Sequence, residues 1–383
     1  MIKIEDKSQC CGCNACGNIC PHDAIAMKYD NEGFLYPHVN ENQCIECGLC
    51  VKVCPVINKY QKNTDYKCDF IGGYNKDENI LNGSSSGGIF WLLAENIIGR
   101  KGVVYGVELG DNFYVFHNRS ESLNESKKFM KSKYLESNIG LIYRKVKNDL
   151  ENKLYVLFSG TPCQIAGLCS YLGKEYSNLY TCDVVCHGVP SKVVFDKYIQ
   201  ELNISQKAKA VSICWRDKSK GWGPNRVTVY FNDNHKLTSV SIKNPYQAGF
   251  LKNLYLRPSC YKCNFAKLPR MADISLADFW DYEGKLSNNN KGLSIIILSS
   301  AKGLQLFDEI KKYTEYEFVD EQSVRKKSRH VHLPPLNNEK RNLFFRDLNK
   351  YSFNELSKKY IYNITLRKIL SIIKWKIYKI MTK

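Results

Sequence analysis

The 383-residue chain has no uncharged apolar run approaching the ~20 residues that a membrane-spanning helix needs. Its longest candidates, Ile295-Ile296-Ile297-Leu298 and Ile369-Leu370-Ser371-Ile372-Ile373, fall far short. A signal peptide is missing too: no apolar segment follows Met1-Ile2-Lys3-Ile4-Glu5-Asp6, and the first cysteine comes at Cys10. The expectation is a cytoplasmic, reducing location. Disulfides have little place there, so 17 cysteines argue for metal binding. Acidic residues are scarce at one end only. Residues 321–383 hold 16 Lys/Arg against four Asp/Glu, whereas residues 1–60 hold five against seven. The net charge of +18 is thus mostly a property of the tail and does not mark a nucleic-acid binder. With 44% apolar and 25% charged residues, disorder of the whole chain is excluded.

What is abundant is cysteine in a fixed pattern. Cys10-x2-Cys13-x2-Cys16-x3-Cys20-Pro21 and Cys44-x2-Cys47-x2-Cys50-x3-Cys54-Pro55 both fit the bacterial ferredoxin run. Three thiolates two residues apart can wrap one cubane in a tight loop. The fourth points away and reaches the other cube. One [4Fe–4S] cluster then takes Cys10, Cys13, Cys16 and Cys54, and the second takes Cys44, Cys47, Cys50 and Cys20. Zinc knuckles are the competing reading, but zinc sites rarely need the third Cys-x2 step.

Four further cysteines suggest a third cluster: Cys163, Cys186, and the pair Cys260-x2-Cys263. The first two follow the ends of predicted strands, where open α/β sheets place their ligands. Cys182 and Cys186 lie four residues apart on or near one strand, about 13 Å at ~3.3 Å per residue, so both cannot serve one cubane. Cys186 is the better ligand and Cys182 a core cysteine. Cys11, Cys68, Cys169 and Cys214 are assigned to packing. Zinc at the same four positions remains the alternative.

Residues 1–58 form a two-cluster ferredoxin-type domain and 59–68 a polar linker. Strands are predicted at Phe70–Tyr74, Val103–Val107, Leu154–Phe158, Tyr180–Val185, Val211–Trp215, Arg226–Phe231, Ile274–Ala277 and Ser294–Leu298. Helical patterns fall between several of them, as in the segment through Ile89, Leu92, Leu93 and Ile97. This alternation predicts an α/β or mixed α+β core with a partly parallel sheet over 69–325. Residues 326–383 read as a basic helical extension. Leu366, Ile369, Leu370, Ile373, Ile377 and Ile380 follow helical spacing among lysines, which suits either a helix docked on the core or one lying on an anionic membrane surface.

Several segments together resemble the coenzyme F(420) hydrogenase/dehydrogenase beta-subunit family. They are Ser84-Ser85-Ser86-Gly87-Gly88, Lys131-Ser132-Lys133-Tyr134, Gly160-Thr161-Pro162-Cys163-Gln164, Cys186-His187-Gly188-Val189-Pro190-Ser191 and Arg270 through Trp280, in the family's order. Ala277 departs from the glycine the family often has before Asp-Phe-Trp. The resemblance implies an iron–sulfur flavoprotein in which the larger domain binds FAD. Electrons would pass between clusters and a two-electron small-molecule substrate, such as a deazaflavin coenzyme or a compound of polysaccharide synthesis. Ferredoxin or a redox partner subunit would be the other electron partner. Cofactor contacts are expected at Ser84, Ser85, Ser86, Gly87, Gly88, Lys133, Tyr134, Gly160, Thr161, Asp278 and Trp280. Small residues at a helix start suit a pyrophosphate, though serine capping would look the same. Lys133 could neutralise a phosphate. Trp280 and Trp222 could flank the flavin ring or simply pack in the core. His187 is the candidate proton donor, with a hydrogen bond near the cluster as its other role. The competing function classes are a non-catalytic electron-transfer subunit and a zinc-stabilised interaction protein.

Overall fold

The structure, a computed structural model, describes residues 1–60, 65–286 and 290–362. The stretch around Leu366–Ile380, expected as an amphipathic helix, lies outside the described residues. Within those described, no helix is long and apolar enough to cross a membrane.

The N-terminal part holds a two-stranded antiparallel hairpin, β1 (Ile25–Tyr29) and β2 (Leu35–Val39), and two short helices, Ala15–Ile19 and Leu49–Lys52. Each helix begins inside a cysteine run. The first of them is tied to the rest of the chain through side chains that cap backbone carbonyls. Asn14 and Asn18 donate to the Gly140 carbonyl at 2.8 and 2.9 Å, and Arg144 donates to the carbonyls of Asn18 and Cys20 at 2.8 and 2.7 Å.

The larger part is built on a mixed eight-stranded sheet. Its strands are β3 (Asp69–Asn75), β4 (Val103–Leu109), β5 (Val115–Ser120), β6 (Val156–Gly160) and β7 (Leu179–Val184), with three more described below. A separate three-stranded antiparallel sheet holds β8 (Ala210–Cys214), β9 (Arg226–Phe231) and β10 (Lys236–Val240). The chain then returns to the large sheet with β11 (Ile274–Asp278), β12 (Ser294–Leu298) and β13 (Thr314–Phe318). The large sheet runs β13-β3-β12-β11-β7-β6-β4-β5. β4, β6, β7 and β11 are parallel, and β3 and β11 both pair antiparallel with β12. The carboxyl ends of these five strands therefore share one edge. The loop Ser84–Gly88, Cys163 and Cys186 follow these carboxyl ends, after β3, β6 and β7.

Both faces of the sheet are covered, which is why β12 reads as an unbroken apolar run and is buried throughout. Helices Ile89–Gly99 and Ala301–Ile310 pack on one face through Leu92, Leu93, Ile97, Leu306 and Phe307. Helices Ile142–Glu151 and Pro162–Leu172 cover the other, and Cys13, Ala15 and Val53 of the N-terminal part join that same apolar cluster. The cysteine-rich part is thus seated on the sheet's own helices. Residues 341–361 do not form a detached extension either. Phe344, Phe353, Leu356 and Ile361 share a core with Phe195, Tyr198 and Tyr255, so the chain beyond 326 completes the larger part at least as far as Ile361.

Candidate functional site

The eight N-terminal cysteines fall into two groups. Cys20, Cys44, Cys47 and Cys50 line one concavity together with Met1, His22 and Leu49, and Cys47 is exposed. The Ile2 backbone N–H donates to Cys50 Sγ at 3.2 Å. The other group is deeper. Burial pushes the Cys16 thiol up, and neighbouring Cys10 and Cys54 push it further in the same direction. Cys13 lies beside Cys10 and Cys16. Cys54, from the second run, therefore sits with the first three cysteines, while Cys20, from the first run, sits with the second three.

The four core cysteines line a second concavity, open in part to solvent. Helix Pro162–Leu172 starts after β6 with a capping box between Thr161 and Gln164, which fixes Cys163 in the first turn. Thr161 Oγ1 lies 3.2 Å from Cys163 Sγ. Cys186 follows β7, and Cys260 and Cys263 flank the turn Pro258–Lys262. Val189 N–H donates to Cys260 Sγ at 3.3 Å. Burial, reinforced by the nearby thiols, pushes Cys186 up to about 12 and Cys263 up to about 11. Cys182 is packed instead in the sheet core with Ile71 and Ile274. Among the described residues no three His, Cys, Asp or Glu side chains converge as the ligands of one metal ion would. The thiols form the walls of a space rather than the corners around a point.

Cys11, assigned to packing from the sequence, lines this core cavity as a fifth thiol. It is in hydrogen-bond contact with both Cys13 and Cys163, and so bridges the inner N-terminal group and the core group. Its only sequence signal is its place next to Cys10.

Ser84–Gly88 lies at the same sheet edge, between β3 and helix Ile89–Gly99. The helix cap is Gly88, at φ 75°, without a side-chain capping bond. Ser84 instead donates to the Ile80 carbonyl at 2.7 Å. The serine loop is held by residues the sequence did not single out. Arg216 pairs with Asp278 at 2.5 Å and reaches the Ser85 carbonyl at 3.3 Å and the Tyr134 hydroxyl at 3.4 Å. Lys218 donates to the carbonyls of Leu81 and Ser86 at 2.7 and 2.6 Å, and burial pushes its ammonium down to about 7. Ser132 N–H donates to Ser85 Oγ at 2.8 Å. Ser85, Ser86, Tyr134 and Asp278 are thereby gathered around two cations.

Other expected contacts are placed differently. Lys133 donates to the carbonyls of Lys128 and Met130 at 2.8 and 2.7 Å, so its ammonium organises its own loop. The Trp222 and Trp280 rings stack on each other, centroids 3.8 Å apart, and the Arg216 guanidinium lies 5.1 Å from the Trp280 ring. No third ring fits between the two indoles in this arrangement. Gly160 ends β6 and Thr161 caps the helix that bears Cys163. His187 contacts Phe250 and His330, each with ring centroids 4.6 Å away, and its Nε2 has no partner among the described residues.

Comparison with known proteins follows the same division. Residues 9–58 match the family described as 4Fe-4S dicluster domain, and residues 154–324 match the family described as the C terminus of the beta subunit of coenzyme F420 hydrogenase/dehydrogenase. No curated protein matches. Among solved structures, the xenon-derivatised F420-reducing [NiFe] hydrogenase complex from Methanosarcina barkeri contains a chain that is 16% identical. That match covers 71% of this chain and 92% of that one, with a TM-score of 0.47. The chain therefore joins a segment similar to 4Fe-4S dicluster domains to one similar to the C terminus of the coenzyme F420 hydrogenase/dehydrogenase beta subunit.

Proposed function

We propose that the chain is an iron–sulfur flavoprotein oxidoreductase. It exchanges electrons with ferredoxin or a partner subunit at its N-terminal part and with a small two-electron substrate at the carboxyl edge of the large sheet. One observation carries this reading. Helix Pro162–Leu172 bears Cys163 in its first turn, and Gly167, about 6 Å further along at ~1.5 Å per residue, touches Cys13. The inner N-terminal thiols and the core thiols are thus held about one helical turn apart by a single rigid element.

The residues fit the groups assigned to them. Cys20, Cys44, Cys47 and Cys50 would hold the outer cluster, with exposed Cys47 on the side open to a partner. Cys10, Cys13, Cys16 and Cys54 would hold the inner one, and Cys163, Cys186, Cys260 and Cys263 the third. Arg216, Lys218, Ser132 and the loop Ser84–Gly88 offer cations and hydroxyls to the diphosphate of FAD, with Tyr134 and Asp278 beside them. Bound there, iron–sulfur clusters would supply one-electron transfer and FAD the exchange between one- and two-electron chemistry. The protein's share is positional. The N–H groups of Ile2 and Val189 donate to the sulfurs of Cys50 and Cys260 and so orient them. His187, half-buried next to Cys186, would be the group that hands over a proton.

A relay subunit without flavin is the second reading. It is favoured by the filled surroundings of Trp280 and by the serine-loop carbonyls already bonded to Arg216, Trp222 and Lys218. Anaerobic isolation followed by flavin and iron analysis decides between them: full iron with no flavin supports the relay.

A further inference from the structure

Arg257 is wholly buried, an unusual place for a guanidinium. It stands where the two cysteine-rich regions meet. Its Nη1 donates to the Cys10 carbonyl at 3.3 Å, and its Nη2 donates to the Leu35 carbonyl at 3.0 Å and to the Glu136 carboxylate. The same nitrogen presses on the ligand loop: a Cβ on Gly12 would fall 2.6 Å from Nη2. Three residues along its own chain is Cys260, whose N–H donates to the Arg257 carbonyl at 3.0 Å. The aromatic faces of Phe34 and Tyr36 close around the guanidinium, 5.3 and 4.8 Å from its carbon.

One atom is left over. Arg257 Nε is buried and has no hydrogen-bond partner among the described residues. A buried donor without a partner costs about 1–3 kcal/mol, more when it carries charge. Arg270, the other fully buried arginine, makes the contrast: its Nε, Nη1 and Nη2 reach Ser275, Val331 and Asp183. Of these two, Arg257 alone keeps an unused donor, and it does so against the Cys10–Cys13 loop.

We infer that Arg257 is a potential-setting residue whose Nε–H donates to a sulfur of the inner cluster, a bond that favours the reduced state of that cluster. The inference rests on the iron–sulfur reading above. Reduction adds negative charge to a cluster, and hydrogen bonds to its sulfurs are a principal determinant of potential. Glu136 holds the guanidinium at the same loop, its Oε1 also 2.6 Å from where a Gly12 Cβ would fall, and its other oxygen accepts from Leu35 N–H at 3.3 Å. Arg257 positions and tunes without touching substrate.

Two measurements on the anaerobically purified full chain test this. The first is pulsed EPR on the reduced wild type carrying 15N-arginine. A nitrogen coupling at the inner cluster is expected, and its absence with the cluster signal present overturns the inference. The second compares reduction midpoints in Arg257→Lys and in the double variant Arg257→Gln/Glu136→Gln, which removes both charges and so avoids stranding a carboxylate. The double variant should weaken reduction of the inner cluster about tenfold, about 59 mV lower for one electron. Arg257→Lys should recover part of that shift, and the outer cluster at Cys20, Cys44, Cys47 and Cys50 should keep its midpoint. Equal midpoints in wild type and double variant, with all clusters formed, overturn the inference alone. A chain with no iron overturns the functional reading together with it.

Discussion

Gly167 lies directly against Cys13: a Cβ built on Gly167 would fall 2.9 Å from Cys13 Cβ and 3.0 Å from its Sγ. Only a residue without a side chain allows this approach. Gly167→Val should push the N-terminal part off helix Pro162–Leu172, at a stability cost of about 1–3 kcal/mol from overpacking. Iron content should stay near wild type, because no ligand is removed. The magnetic interaction between the inner and core clusters should weaken, as EPR of the reduced protein would record. Unchanged spectra with an intact fold would dissociate Gly167 from electron passage.

The core ligand set can be dissected by counting iron. Cys163→Ser or Cys186→Ser should each lower the content by about four iron atoms per chain, one cubane's worth. Cys182→Ser should leave it unchanged, since Cys182 is buried among apolar side chains on β7. Loss of iron in Cys182→Ser with none in Cys186→Ser would reverse the assignment.

Lys218→Met should loosen FAD while leaving iron in place. The ammonium spans two carbonyls and has no carboxylate pair to strand, so the fold should tolerate the change better than loss of Arg216. The expected result is a flavin-to-iron ratio at least about tenfold lower after gel filtration, a change of about 1.4 kcal/mol in binding. Equal flavin retention would move the diphosphate elsewhere.

His117 supplies a pH dependence. The ring is buried, stacked on Phe158, and bonded to Ser137 at 2.7 Å and to the Ser159 carbonyl at 3.0 Å. Burial pushes its pKa down to about 4 from an ordinary 6.5, so it is neutral in the fold. The unfolded chain takes up the proton first as pH falls. Its contribution is therefore complete above about pH 6.5 and is lost progressively toward pH 4, by up to about 3 kcal/mol. Denaturant unfolding of wild type and His117→Gln at pH 7 and pH 5 should converge as acid is added. Parallel pH profiles would refute this.

The parts legible in the sequence were those governed by local spacing. The two ferredoxin runs, Cys260-x2-Cys263, and the unbroken apolar β12 declare themselves within a few residues. β5 stayed hidden because His117, Asn118 and Arg119 interrupt any alternation, although His117 is buried by partners at 137 and 159. β13 was missed for a similar reason: Glu315 and Glu317 alternate with Tyr316 and Phe318 on an edge strand. Arg216 and Lys218 were lost among 56 basic residues, since nothing local distinguishes a cation that will meet Ser85 or Ser86 more than 130 positions away. Arg257 was invisible for the same cause, its carboxylate partner being Glu136. Lys133 is a further case: its ammonium donates to the carbonyls of Lys128 and Met130 in its own loop, a direction that residue spacing does not carry.

The most direct test is the metal, sulfide and flavin content of the full chain purified without air. The expected result is a brown protein with about twelve iron and about twelve acid-labile sulfide per chain, and one FAD. A colourless protein holding zinc in place of iron would contradict it.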